Sequence, residues 1–373
     1  MYLDNASTTP LTQEVKDYII SLLDTYQNPS SMYQSGVNVK QIISTARNSI
    51  AKFINANPED IIFTSGGSAS NSLAVKGYYE KNNCIILYQP TCHKSILKCV
   101  EHIKKAYPLK VNSQGFIDIQ DLKGLLNARE KYLVVIEYAN SEIGTIQNVK
   151  EIIDLCHFYN AKVYVDCTGS ISQIPIDVKK LDADMIGFSG HKIHALKGIG
   201  VLYKKSDIQL EPLIYGIQNN GLFAGTENVL GIASIGKAVE KYNYSSISSK
   251  NRDYIYEYIL KNIPDSYLVG ADLKHRLSHN LYVCFKGIQG ESLMILLDMK
   301  DIQVSTGSAC TSGDLTSSTT LQSIGMDKKD INSCIRITFS GNENKKELDY
   351  VCEKIKKNVE ILKKLNKLRR SRK

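Results

Sequence analysis

Apolar and polar positions alternate along this chain in two rhythms. Positions 37–54 place Ile42, Ile43, Ala46, Ile50, Phe53 and Ile54 at helical spacing, the pattern of one buried helix face. Short continuous apolar runs follow: IIFT at 61–64, CIILY at 84–88, YLVVIEY at 132–138, KVYVD at 162–166, DMIGF at 184–188 and GVLY at 200–203. Runs of this length with no polar face predict strands covered on both sides, as in a parallel sheet. Helical stretches separate most of them, so the span from about 12 to 205 predicts helices layered on a largely parallel sheet. From Val229 a long helical stretch is expected to run to Ile263. HNLYVCF, a helix at 290–298, IQVST and CIRITFS then precede a final helix. That order predicts a second, smaller α+β unit, with the boundary inside or just before the long helix.

Length and composition narrow this picture. A chain of 373 residues suits a large domain plus a smaller one. No apolar run approaches the roughly 20 residues of a membrane helix. Met1 to Pro10 shows neither the basic region nor the apolar core of a signal peptide, so a cytoplasmic location is the default expectation. The net charge of +8 suggests a nucleic-acid binder at first sight. However, Lys354 to Lys373 holds ten Lys or Arg and one acid, and the rest has 36 basic and 37 acidic residues. The basicity belongs to the tail, either a solvated helix face or a docking segment, and direct nucleic-acid binding is not expected. Nine cysteines are present and no two have C-x-x-C spacing, which argues against a structural zinc site. Most lie in apolar runs and read as small buried hydrophobes of a reducing compartment.

Candidate chemistry gathers where strands are expected to end, the place where open α/β sheets bind ligands. TSGGSAS at 64–70, with Gly67 and Ser68, is either an ordinary tight turn or a backbone cradle for a phosphate. Asp166 closes the strand of VYVDCTGS. Its carboxylate suits a metal, a base, a partner for a cationic ring nitrogen, or a helix N-cap. GFSGHKIHALKGIG at 187–200 puts Ser189, His191 and Lys192 after another strand. A lysine there is a surface cation or, if desolvated, a Schiff-base former. Cys310, in STGSACTSG, has no apolar run around it. It is an incidental loop cysteine or an accessible nucleophile.

Taken together, YLDNASTTP, IIFTSGGSASNSLAVKG, TCHKSIL, SEIGTIQ, VDCTGS, FSGHKIHALKGIG, AGTEN, STGSACTSG and SCIRITFS stand in the order seen in cysteine desulfurases of the NifS/IscS type. The chain resembles a divergent member of that family from Tyr2 to the last helix. The resemblance implies a fold-type I pyridoxal-phosphate transferase of the class V aminotransferase family, normally a homodimer. It further implies a large cofactor-binding domain at 12–230 and a small domain, 1–11 with 231–373, carrying the Cys310 loop and the basic tail. Lys192 matches the lysine that carries pyridoxal 5'-phosphate and then moves the substrate Cα proton. Asp166 matches the partner of the ring nitrogen, which keeps the ring an electron sink. His93 matches the ring-stacking, proton-shuttling histidine. Gly67, Ser68, Ser189 and His191 match phosphate-binding positions, and Thr226 matches a residue reaching the phosphate from the other subunit. Ser141 stands at a cofactor-contacting position. Arg336, suited to a carboxylate by its fork, and Asn5 match substrate-binding positions. Cys310 matches the nucleophile that takes sulfur from L-cysteine, leaving alanine and a persulfide. The implied recipients are scaffold or carrier proteins serving iron–sulfur clusters, tRNA thiolation or a specialised pathway.

Several positions depart from the family pattern. Gly169 replaces a usual Gln and Ser141 a usual Asn, both of which bond the cofactor's phenolic oxygen. Gly67, Ser68 and Ala69 replace Ala-Thr-Glu; His194, Ala195 and Leu196 replace Tyr-Gly-Pro; Gly216 and Ile217 replace Gly-Gly; Phe223 replaces Arg. Weaker cofactor binding is expected from the first two. Two rival functions follow: a lyase acting on selenocysteine or another β-substituted amino acid, and a weakened paralogue that binds partners. Cys310 opposes the first, because β-elimination needs no nucleophilic thiol. Lys192, His93, Asp166, Arg336 and Cys310 together oppose the second.

Overall fold

The computed structural model describes residues 1–244, 248–306 and 318–371. The larger part runs α1 (Gln13–Ser21), α2 (Gln34–Ile54), β1 (Ile61–Thr64), α3 (Gly67–Asn82), β2 (Ile85–Tyr88), α4 (Lys94–Val100), β3 (Ala106–Pro108), α5 (Ile119–Leu125), β4 (Tyr132–Glu137), α6 (Val149–Phe158), β5 (Lys162–Asp166), α7 (Val178–Leu181), β6 (Met185–Ser189), β7 (Gly200–Lys204) and α8 (Val229–Glu240). The seven strands form one sheet in the order β1-β7-β6-β5-β4-β2-β3. Only β7 runs against its neighbours, pairing antiparallel with β1 and β6. The C-terminal ends of β1, β6, β5, β4 and β2 therefore share one edge. Every residue of β4 is buried, which is why these strands lack polar alternation. Asn55, Asn83 and Asp182 end α2, α3 and α7 in the left-handed region, a conformation that short amide and carboxylate side chains tolerate.

The second part contains α9 (Lys250–Asn262), β8 (Ser266–Leu268), β9 (Asn280–Phe285), α10 (Gly290–Asp298), α11 (Thr319–Ser323), α12 (Lys328–Ile331), β10 (Cys334–Thr338) and α13 (Lys345–Ser371). Its three strands form an antiparallel sheet in the order β10-β9-β8. A core of its own includes Leu3, Ile255, Ile259, Val283, Leu293, Ile337 and Ile355. Leu3 in this core shows the N-terminal segment crossing to the smaller sheet.

Three expectations need correction. The stretch from Val229 to Ile263 is two helices, α8 and α9, because the chain breaks after Glu240. A boundary at 230 would put α8 in the smaller domain, yet Ile232, Ile235 and Val239 pack in the core of the large sheet. Gly236 lies so close to Ala46 of α2 that an added Cβ would stand 2.5 Å from the Ala46 side chain. The two cores thus divide between α8 and α9. IQVST forms single bridges through Gln303 and Ser305, not a strand. No helix among the described residues is long and apolar enough to cross a membrane.

Candidate active site

The shared strand edge opens on a cavity of about 200 Å³. Gly67, Ser68, His93 and Ser141 line it, with Asp166, Ser189, His191 and Lys192. With Gly169, nine residues singled out from sequence thus meet in one place, brought there by five parallel strand ends.

One end of the cavity is built for an anion. Gly66, at φ +149°, caps α3, a conformation that L side chains rarely adopt. The first turn of α3 leaves backbone N–H groups without intrahelical partners, and its dipole favours negative charge there. A Cβ on Gly67 would lie 3.1 Å from Thr168 Oγ1 and 3.4 Å from Ser189 Cβ, so glycine keeps this cradle open. Thr168 Oγ1 is itself buried with no hydrogen-bond partner. Burying such a hydroxyl unpaired costs about 1–3 kcal/mol, a cost that a bound acceptor would remove. His191 Nδ1 sits 3.2 Å from Thr8 Oγ1. Burial, then the cations Lys192 and Lys197 and then His93, push the His191 pKa down to about 4. An anion beside it would counter that shift. These residues fit a phosphate.

At the centre, Asp166 is 3% exposed. Its Oδ1 accepts from the Thr168 backbone N–H at 2.8 Å, so it does cap a turn. Its Oδ2 accepts from Asn71 Nδ2 at 2.9 Å. Lys192, on the turn after β6, donates through Nζ to Ser7 O at 2.8 Å and to Ala6 O. His93 starts α4, with Nδ1 2.8 Å from Ser95 Oγ and its own N–H donated to Glu137 Oε1 at 2.7 Å. The His93 ring opens onto the cavity, yet protein surrounds it at longer range. That burial lowers its pKa, with Lys192 and Lys94 adding to the effect and Asp166 opposing it.

Other sequence candidates lie differently. Arg336 on β10 stands behind the cavity, donating to Ser141 O at 3.1 Å, Ser7 Oγ at 2.7 Å and Asp4 Oδ1 at 2.8 Å. Asn5 does not line the cavity. It donates to Thr338 O at 2.9 Å and faces a neighbouring cavity of about 440 Å³. Thr226 is exposed and does not line the cavity of its own chain. Cys310 lies outside the described residues.

Sequence reading missed Asn71, Thr168, Glu137 and Ser7, all lining the cavity. Asn71 lies one helical turn beyond Gly67, on the same face as the cradle. Glu137, like Asp166, is a carboxylate at a strand's C-terminal end, a signal that could have found it. Burial above all, and then Asp166, raises the Glu137 pKa well above the usual carboxylate range.

The departure at Gly169 has a steric cause. A Cβ there would lie 2.6 Å from Ala139 O and 3.5 Å from Ser141 Cβ. Backbone cannot yield as a flexible side chain can. Gly169→Gln should therefore destabilise the protein by roughly 1–3 kcal/mol, read as a lower urea midpoint. A Gln variant that is equally stable and holds cofactor more tightly would show that the loop yields freely.

The chain matches the family described as Aminotransferase class-V over residues 1–351. It is 35% identical over 377 residues to cysteine desulfurase IscS of Dictyoglomus turgidum, covering 97% of this chain and 95% of that protein. A solved NifS-like protein superposes with a TM-score of 0.90 at 29% identity, covering 97% of this chain and 100% of that one. A structure of SspA in complex with cysteine superposes with a TM-score of 0.80 at 27% identity, covering 92% of this chain and 99% of that one. With a strand edge that gathers Lys192, Asp166 and His93 under a phosphate cradle, and likeness of this extent, the chain belongs to the aminotransferase class-V family, among its IscS- and NifS-type cysteine desulfurases.

Proposed function

We propose that this protein is a pyridoxal-phosphate-dependent cysteine desulfurase that converts L-cysteine to L-alanine and passes the sulfur from Cys310 to an acceptor protein. The observation that carries the reading is the convergence of Lys192, Asp166 and His93 on one cavity whose far end suits a phosphate. Bound there, pyridoxal phosphate would supply an electron sink for the pair left when a Cα proton departs.

The chain's own groups divide the remaining work. The first turn of α3, Ser68, Thr168, Ser189 and His191 would hold the phosphate. Asp166 would pair with the ring nitrogen and His93 would cover the ring. Lys192 would hold the cofactor covalently and, once released, move the Cα proton through Nζ. Arg336, 2% exposed, would exchange Asp4 for the substrate carboxylate. The Cys310 thiolate would attack the substrate sulfur. The C–S bond breaks, its electron pair stays with carbon, and a proton completes alanine. The sulfur remains on Cys310 as a persulfide.

Both flanks of the segment carrying Cys310 are tied near this site. Ser305 exchanges backbone hydrogen bonds with Arg336. Beyond the segment, Thr320 Oγ1 donates to Thr91 O at 3.5 Å, two residues before His93. A homodimer completes the proposal: Thr226, exposed and away from the cavity of its own chain, would serve that of a second copy. The reducing-compartment chemistry of Cys310 suits the cytoplasm.

The test uses purified protein loaded with pyridoxal phosphate and given L-cysteine with a reducing thiol. Alanine and sulfide should appear in equal amounts. Pyruvate and ammonia in their place would mark an eliminating lyase. Failure to bind the cofactor at all would remove the whole reading.

A further inference from the structure

Three side chains outside the reaction scheme connect its two central groups. Asn71 lies on α3, Ser95 on α4 and Tyr164 on β5, and they meet between Asp166 and His93. Asn71 Nδ2 donates to Asp166 Oδ2 at 2.9 Å and to Ser95 Oγ at 2.8 Å. Tyr164, fully buried, donates its hydroxyl to Asn71 Oδ1. Ser95 Oγ lies 2.8 Å from His93 Nδ1, and the Ser95 backbone N–H donates to the same nitrogen at 3.2 Å.

The direction of each bond follows from its partners. An ionised carboxylate only accepts, so the NH₂ end of Asn71 must face Asp166. Turning the amide over would set Oδ1 against that carboxylate. Both Nδ2 hydrogens are then committed, one to Asp166 and one to Ser95 Oγ. Ser95 Oγ already accepts, so its own hydrogen is free to point at His93. The backbone N–H beside it can only donate. His93 Nδ1 thus faces two donors and has no room for a proton.

We propose that Asn71 and Ser95 form a relay, anchored on Asp166 and Tyr164, that keeps the proton of His93 on Nε2. They are positioning residues: they hold the acid–base partner of the substrate in one tautomer. Donors aimed at Nδ1 also favour the neutral ring. The charged or titratable groups facing His93 are Asp166 from β5, Glu137 from β4, Lys94 from α4, and His191 and Lys192 from the turn after β6. Of these, Asp166 favours the charged ring, whereas Lys94 and Lys192 favour the neutral one. The relay acts with burial and the lysines against Asp166.

The tautomer itself is independent of the proposed reaction; its effect on rate rests on that reading. The experiment compares the cofactor-loaded wild type with Ser95→Ala and Ser95→Thr. Imidazole ¹⁵N NMR of histidine-labelled protein should show His93 with a bare Nδ1 and a protonated Nε2. Ser95→Ala removes one donor, so a mixed tautomer signal is expected and the His93 midpoint should rise toward its ordinary value. The acid limb of the cysteine-desulfurating rate should move up with it, with kcat falling roughly two-fold at neutral pH and more steeply below about pH 6.5, while KM holds. Ser95→Thr keeps the hydroxyl and should restore both. A wild type carrying its proton on Nδ1, or a Ser95→Ala protein with unchanged tautomer and midpoint, would overturn the relay. If no variant turns over cysteine, the functional reading fails while the NMR still decides the relay.

Discussion

Lys192→Ala should yield a protein that carries no covalently held cofactor and makes neither alanine nor sulfide above background. The side chain stands on the turn after β6, at the C-terminal edge of the sheet, and lines the same cavity as Asp166 and the Gly67 turn. Its Nζ is held by the Ala6 and Ser7 carbonyls, a placement that aims one amine into the cavity. In the proposed reaction two functions fall to that amine, attachment and proton transfer. Loss of a positioned acid–base group alone typically costs about 10²–10⁴ in rate. Borohydride reduction followed by intact mass measurement should add one cofactor to the wild type and none to the variant. A free amine such as methylamine should recover part of the rate, which separates lost chemistry from lost folding. A Lys192→Ala enzyme that turns over at the wild-type rate would remove Lys192 from the mechanism and with it the family assignment of this site.

Cys310→Ala should separate desulfuration from elimination. Lys192, Asp166 and Arg336 are untouched in this variant, so L-cysteine should still perturb the visible spectrum of the bound cofactor. The product step should fail, because the substrate sulfur has no thiolate to accept it. Sulfide release should drop by on the order of 10²-fold or more, the scale expected when an activated nucleophile is removed. In the wild type, one turnover followed by alkylation should leave one added sulfur on the peptide containing Cys310. A thiolate is required for attack, and a free cysteine is mostly protonated at neutral pH. In the proposed reaction, attack on the substrate sulfur therefore depends on the site taking up that proton. A Cys310→Ala protein that releases sulfide unimpaired would favour an eliminating lyase.

The parts legible in the sequence are those that neighbouring residues decide. YLVVIEY, KVYVD and DMIGF are strands because the apolar residues in their middles are buried on both faces, with charged residues only toward their ends. Polar clusters directly after such runs must emerge at a sheet edge, so the sequence alone assigns Asp166, Ser189, His191 and Lys192 to one edge. The Gly66–Gly67 turn was visible for the same local reason. Tertiary packing decided the rest. Helix α8 belongs with α2 because Gly236 meets Ala46, a contact that no window of sequence contains. Arg336 reaches Asp4 across 332 residues, and only the crossing of the N-terminal segment to the smaller sheet makes them partners. Gly169 is required by the Ala139 carbonyl, and Thr168 is left without a partner by the cavity it faces. The relay through Asn71, Ser95 and Tyr164 joins α3, α4 and β5. Hydrogen-bond direction there depends on which groups the sheet order brings within 3 Å. Hydrophobic pattern and turn chemistry act over a few residues and are written into the chain. Pairings between distant segments are set by strand order and helix packing, and those exist only once the chain has folded.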